Sequence, residues 1–142
     1  MTDIYRAHAS ETNASVFEVR VETAHHVFIG DEPADKGGSG TGPAPFELLC
    51  AALAECTTMT VRWYAKQKGW PVDHVSTSVE LEKVPASDRP GHIVDLFTKT
   101  VRIEGDSLTE EQRAKLHEMA AKCPVQRTLE GTPRIATLKA PE

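Results

Sequence analysis

Long apolar runs are missing from this chain. No stretch approaches the roughly 20 residues that a membrane-crossing helix needs, which excludes a helical span. A basic excess is missing too. The formal net charge is −5, and no Lys/Arg cluster is interleaved with aromatics, which argues against nucleic acid or an anionic membrane as partner. Aromatic residues make up only 6%, so a core must rest on Leu, Val, Ile and Ala. The cysteines, Cys50, Cys56 and Cys123, are too few and odd in number for a disulfide framework. They are either buried inert thiols or reactive ones. Six histidines are present, but no CxxC or HxxxH spacing accompanies them, and His25-His26 would point to opposite faces of a strand. A metal site is therefore not expected. There is no Gly-x-Ser-x-Gly elbow of a serine hydrolase. The Gly-rich run 37–42 lacks the Gly-Lys-Ser/Thr ending of a phosphate loop. The first twenty residues lack the apolar core of a secretory signal, so the expected compartment is the cytoplasm.

What remains is a soluble globular balance. Hydrophobic residues are 39% and charged residues 26% of 142, enough for one domain over 1–142 with a real core. Apolar and polar residues alternate from Val16 to Ile29, predicting two strands that turn near Ala24–His26. Residues 30–45, dense in Gly and Pro, read as a long loop. From Phe46 to Lys68, Phe46, Leu49, Cys50, Leu53, Cys56, Thr60 and Trp63 recur at helical spacing, with Pro45 in the first turn and Gly69 as the stop. This helix would be about 33 Å long. Between 48 and 61 its only charge is Glu55, so it needs cover nearly all round, which a chain of this size finds most readily in an oligomer.

Two alternating stretches, Val75–Val84 and His92–Ile103, predict an antiparallel hairpin turning over Pro85–Gly91. Ser107-Leu-Thr-Glu110 reads as a capping box for a second helix reaching about Lys122, with Leu108, Leu116 and Met119 on its buried side. Cys123-Pro124 opens a short further helix that Gly131 ends, and Ile135, Thr137 and Lys139 are expected to form a last strand. The order β-β-α-β-β-α-α-β makes the fold class α+β.

For chemistry, Cys56 on its apolar helix reads first as a packed core thiol and only second as a reactive one. Cys123, at a helix start with Arg127 one turn on, is better placed to hold a thiolate, though a cysteine there is also an ordinary cap. Cys50 and Cys56 are six residues apart on one helix, about 120° around it, so they cannot bond to each other.

Several motifs resemble the OsmC/Ohr family, and more closely its general OsmC-like branch. They are Asp31-Glu-Pro33, Gly37-Gly38, Gly42-Pro-x-Pro-Phe-Glu-Leu-Leu49, Ala51-Ala-Leu-x-x-Cys56-Thr57, Thr60-Val-Arg-Trp-Tyr-Ala65 and Cys123-Pro-Val-x-Arg-Thr-Leu129. The resemblance covers about residues 16–138. It implies an intertwined homodimer with long central helices wrapped by antiparallel sheets, and thiol-dependent reduction of organic hydroperoxides without a cofactor or metal. Carried over, Cys56 would attack the peroxide as a thiolate and become a sulfenic acid. Cys123 would resolve it as a disulfide, later reduced by a small-molecule or protein dithiol. The family places a carboxylate and an Arg beside the attacking cysteine. The corresponding candidates are Glu47 for the carboxylate and Arg20 or Arg127 for the cation, with Arg62 as a further substitute or simply a solvated charge. Leu53, Met59 and Phe46 would favour an apolar peroxide. Glu55 stands where the family favours a small residue, and a carboxylate there tends to raise a thiol pKa. The other function this permits is an OsmC-like dimer with little peroxidase activity that binds a small apolar or thiol ligand.

Overall fold

The structure is a computed structural model that describes residues 3–141. Its elements run β1 (His8–Glu11), β2 (Val19–Glu22), β3 (Val27–Gly30), α1 (Pro45–Lys68), β4 (His74–Pro85), β5 (Ile93–Glu104), α2 (Glu110–Ala120) and α3 (Pro124–Glu130). A single turn of 3-10 helix, Ala34–Lys36, lies between β3 and α1. This is the expected α+β class, and the chain divides into two compact units between Leu49 and Cys50.

In the first unit, β1, β2 and β3 form an antiparallel sheet in that order. The anticipated β2–β3 turn is closed by Thr23 N–H donating to the His26 carbonyl at 2.9 Å. The sequence pattern did not reveal β1, which pairs His8 with Glu22 and Glu11 with Val19. All four of its residues are exposed, so no apolar face marks it. The Gly/Pro-rich loop is an ordered one, built around Asp31. This carboxylate is buried and accepts from the backbone N–H groups of Glu32, Ser39 and Thr41 and from the Thr41 hydroxyl. Glycine is required nearby because a Cβ on Gly38 would run into the Glu32 carbonyl.

The second unit carries the core. Helix α1 shows one buried stripe, Leu53, Thr57, Val61 and Ala65, at a spacing of four. Gly69, at φ +68°, stops it in a left-handed C-cap, with Trp70 N–H returning to the Ala65 carbonyl at 2.9 Å. Strands β4 and β5 pair over their full length, His74 with Glu104 through Pro85 with Ile93, as the alternation anticipated. Val61, Ala65, Val72, Val75, Ile103, Leu116 and Ala120 form the buried cluster between hairpin, α1 and α2. Arg62 ties the end of α1 to the segment that follows, donating to the Val72 carbonyl at 2.9 Å.

Two expectations are corrected. The α2 cap is Thr109, not Ser107: its hydroxyl accepts from Gln112 N–H, and the Gln112 side chain accepts from Thr109 N–H. Both positions satisfy the capping pattern in sequence, but Leu108 packs against the core and draws the chain into the helix two residues later. The expected last strand is absent. Residues 132–141 form no regular element, and Ile135 and Leu138 are exposed, because no strand among the described residues pairs with them.

Candidate active site

Within the second unit, three elements bring their polar groups to one place. Helix α1 contributes Cys56 and Thr57, neighbours pointing to adjacent sides of the helix. Cys123 is the N-cap of α3: extended at φ −66°, ψ 144°, it turns its sulfur back to accept the Gln126 N–H at 3.4 Å. Pro124 suits the first helical position because its missing N–H is not needed there. The Cys123 side chain is fully enclosed, whereas Cys56 is half-buried. Both are free thiols, and they lie near enough for each to shift the other's ionisation.

Strand β5 contributes the third group, Lys99. Its register opposite Val79 places it on the row with Phe97, Val101 and Ile103, the side of the hairpin that faces the helices. An ammonium in that row is costly unless it finds acceptors. Lys99 finds two: its Nζ donates to the Ala120 carbonyl at 2.7 Å and to the Thr57 hydroxyl oxygen at 2.9 Å. The Thr57 hydroxyl, fully buried, donates in turn to the Cys123 sulfur at 3.4 Å. A chain of hydrogen bonds therefore runs from Lys99 through Thr57 to Cys123.

This chain separates the two thiols electrostatically. Burial pushes the Cys123 thiol up, but the bonds from Thr57, the Gln126 N–H and Cys56, with the Lys99 charge, outweigh it and hold Cys123 below the ordinary thiol value. Burial also pushes Cys56 up. A bond from the Val125 N–H opposes this, but the hydrogen bond to Cys123 and that sulfur's charge raise it further, and the net shift is upward. Burial lowers the Lys99 pKa, against the attraction of Cys123, Cys56 and Glu130.

The other candidates sit as follows. Arg127, in the last turn of α3, has an exposed side chain. Glu55 is exposed on α1. In the first unit, Arg20 on β2 is ion-paired with Glu22. Glu47 lies in the first turn of α1, which begins before it at Pro45, and its carboxylate accepts the Ala44 N–H at 2.8 Å. Leu53 is buried, while Met59 lines a shallow groove with Thr58, Arg62, Trp63, His74 and Val75 that contains neither cysteine. Among the described residues, no cluster of three or more His, Cys, Asp or Glu is arranged to hold a metal ion. Nor is any helix among them long and apolar enough to cross a membrane.

Sequence reasoning missed Lys99 and Thr57. A signal for Lys99 was present: it is the one charge at every second position of the row Phe97, Lys99, Val101, Ile103. Thr57 stands in the Cys56-Thr57 motif, but a threonine on a buried helical stripe reads as ordinary packing.

The α+β fold thus sets Cys56 of α1 near Cys123 at the start of α3. The OsmC-like protein family profile matches residues 37–137, and the chain belongs to that family. Solved structures agree in fold. An OsmC-like protein from Mycoplasma pneumoniae is 17% identical, with 92% of this chain and 90% of that one covered and a TM-score of 0.70. An organic hydroperoxide resistance protein OsmC from Legionella pneumophila is 19% identical over 92% of both chains, at 0.67. The organic hydroperoxide resistance protein OhrB of Bacillus subtilis is 19% identical, covering 91% and 92%, at 0.61. No curated protein matches the chain by sequence.

Proposed function

We propose that this chain reduces organic hydroperoxides with its Cys56–Cys123 pair. Cys56 sulfur attacks the distal peroxide oxygen, the O–O bond breaks, and the alcohol leaves with one proton. The Cys56 sulfenic acid then condenses with Cys123, forming the disulfide and releasing water, and an external dithiol returns both thiols. The observation that carries this reading is the closeness of the two thiols: free cysteines 67 positions apart, one half-buried and one enclosed, lie near enough for each to shift the other's ionisation. Family membership adds its weight, and Glu47, Arg20 and Arg127 are carried in the reading as the assisting carboxylate and cations. The reading includes a cytoplasmic homodimer acting as one domain over 1–142. In its support, Met59 and Trp63 on α1 leave apolar surface open, as do Ile135 and Leu138 in the C-terminal segment.

The test is consumption of cumene hydroperoxide with excess dithiol by the unaltered protein, Cys56→Ser and Cys123→Ser. Loss of turnover in Cys56→Ser and a slowed, sulfenic-acid-accumulating Cys123→Ser are expected. Equal activity in all three removes the proposal and leaves ligand binding by the same dimer as the function to pursue.

A further inference from the structure

The two cysteines are not held alike. Cys56 stands in the middle of α1, a helix of 24 residues anchored by the buried side chains of Leu53, Thr57, Val61 and Ala65. Cys123 caps α3, which has seven residues, none of them buried. Its sulfur is the acceptor that closes the first turn of α3, taking the Gln126 N–H at 3.4 Å, and it takes the Thr57 hydroxyl as well. The Val125 N–H of the same turn faces Cys56. Two side chains of α3 bond within the helix, Thr128 to the Pro124 carbonyl and Gln126 to Glu130. Gln126 Oε1 is enclosed and has no donor among the described residues, a cost that the closed turn already carries. A helix this short is marginal by itself, so its first turn leans on the cap.

We propose that closing a Cys56–Cys123 disulfide uncaps α3, so that its first turn loosens in the oxidised protein and closes again on reduction. This deepens the hydroperoxide reading and rests on it for the disulfide and its natural oxidant. In the closing step the S–O bond of the Cys56 sulfenic acid breaks, an S–S bond forms, and the oxygen leaves as water with the Cys123 proton. Joined sulfurs lie about 2 Å apart, closer than two separate thiols can approach, so one of them must move. Helix α1 is locked by its buried stripe, and the movement falls to Cys123. Once joined, the Cys123 sulfur is a neutral disulfide sulfur and a poorer acceptor. The Thr57 hydroxyl keeps Lys99 as its donor and can turn to the Leu53 carbonyl one turn back, as threonines on helices do. The Gln126 N–H lies in the first turn, where the helix itself supplies no acceptor. It finds water when the turn opens, and the same opening hydrates Gln126 Oε1. The enclosed sulfur is thereby uncovered in the one state that a reducing dithiol must attack.

The experiment follows backbone hydrogen exchange over residues 121–131 in the full chain carrying Cys50→Ser, which leaves two thiols. The protein is kept reduced with dithiol or oxidised with diamide, which takes two thiol hydrogens and needs no hydroperoxide. Oxidation should speed exchange in that segment by about fivefold or more, the size expected for one lost helix cap, while residues 57–65 of α1 stay protected. Fresh dithiol should reverse the change. Reduced Cys123→Ala should exchange like the oxidised parent, since its cap is gone without any disulfide. Cys123→Ser, whose hydroxyl caps in place of the sulfur, should stay protected with or without diamide, and so should Cys56→Ser. Equal exchange of 121–131 in the two redox states overturns the proposal, as does a reduced Cys123→Ala as protected as its parent. Should Cys123→Ala not fold, the two redox states of the parent decide alone. A joined pair with an unloosened α3 overturns this proposal and leaves the hydroperoxide reading standing, whereas a pair that diamide cannot join overturns both.

Discussion

Replacing Thr57 by Val tests how much the buried polar contacts are worth. Valine has nearly the same shape, so the change removes two hydrogen bonds and little else. The first, from Lys99 Nζ at 2.9 Å, is charge-assisted and falls in the class worth about 1.5–3 kcal/mol. The second, to the Cys123 sulfur at 3.4 Å, is weaker. Thr57 is fully enclosed, so water cannot step in, though Lys99 keeps the Ala120 carbonyl. The added methyl returns about 0.8 kcal/mol of apolar burial. A net loss of about 1–2 kcal/mol follows, or about 5 °C in Tm for a chain of this size. The sign with pH is also set. Cys123 ionises more easily folded than unfolded, so its contribution is full above the unfolded thiol value and is lost as pH falls through the folded one. The gap between the two proteins should therefore be wider at pH 9 than at pH 6. Urea unfolding at matched concentration measures it, with Thr57→Ser keeping the hydroxyl as the control for thiol titration. If Thr57→Val unfolds within about 0.3 kcal/mol of the unaltered protein at both pH values and titrates like it, the contacts carry no weight and the reasoning is refuted.

Leu116→Ala should cost about 2–5 kcal/mol in a denaturant titration, since Leu116 is completely buried between α2 and the hairpin and the site is walled by Val61, Val75 and Ile103. Asp31→Asn should flatten the acid side of the stability curve. Burial pushes the Asp31 carboxyl up, but the Thr41, Glu32 and Ser39 donors outweigh it and hold it below the usual range. Its stabilisation is thus full above the unfolded carboxylate value and lost as pH falls through the folded one, which thermal melts from pH 6 to 3 would record. Gly38→Ala should open the 31–41 loop, because the added Cβ meets the Glu32 carbonyl, and limited proteolysis should then cut within it.

Much of the fold was legible because its elements announce themselves through periodicity and punctuation. The hairpin alternates over twelve residues a side, and α1 is bracketed by Pro45 and Gly69, which is why their bounds fell within a residue or two. Where an element owes its existence to pairing alone, the pattern was silent or misleading. Strand β1 is exposed throughout and was missed, while Ile135 to Lys139 alternate like a strand yet join neither sheet of the described residues. Alternation records which face an element would bury; a partner strand has to be supplied by the rest of the structure.

The site divides in the same way, and the division explains why Lys99 went unnoticed while the cysteines did not. Spacing alone made Cys56 a packed core thiol, and it was the family motifs around Cys56 and Cys123 that singled out the pair. Their relative ionisation depends on something no local window contains: β5 must pair with β4 in the register that sets Lys99 against Val79 before its ammonium can reach the Thr57 hydroxyl. A slip of one residue would turn Lys99 outward, where it would be one more solvated lysine. The lowering of the Cys123 thiol value is therefore tied to strand register as much as to the cysteine motif. The cations that the motifs suggest are arginines, whereas the group one hydroxyl away from the enclosed sulfur is a lysine on a strand, 24 residues before Cys123 and 43 after Cys56.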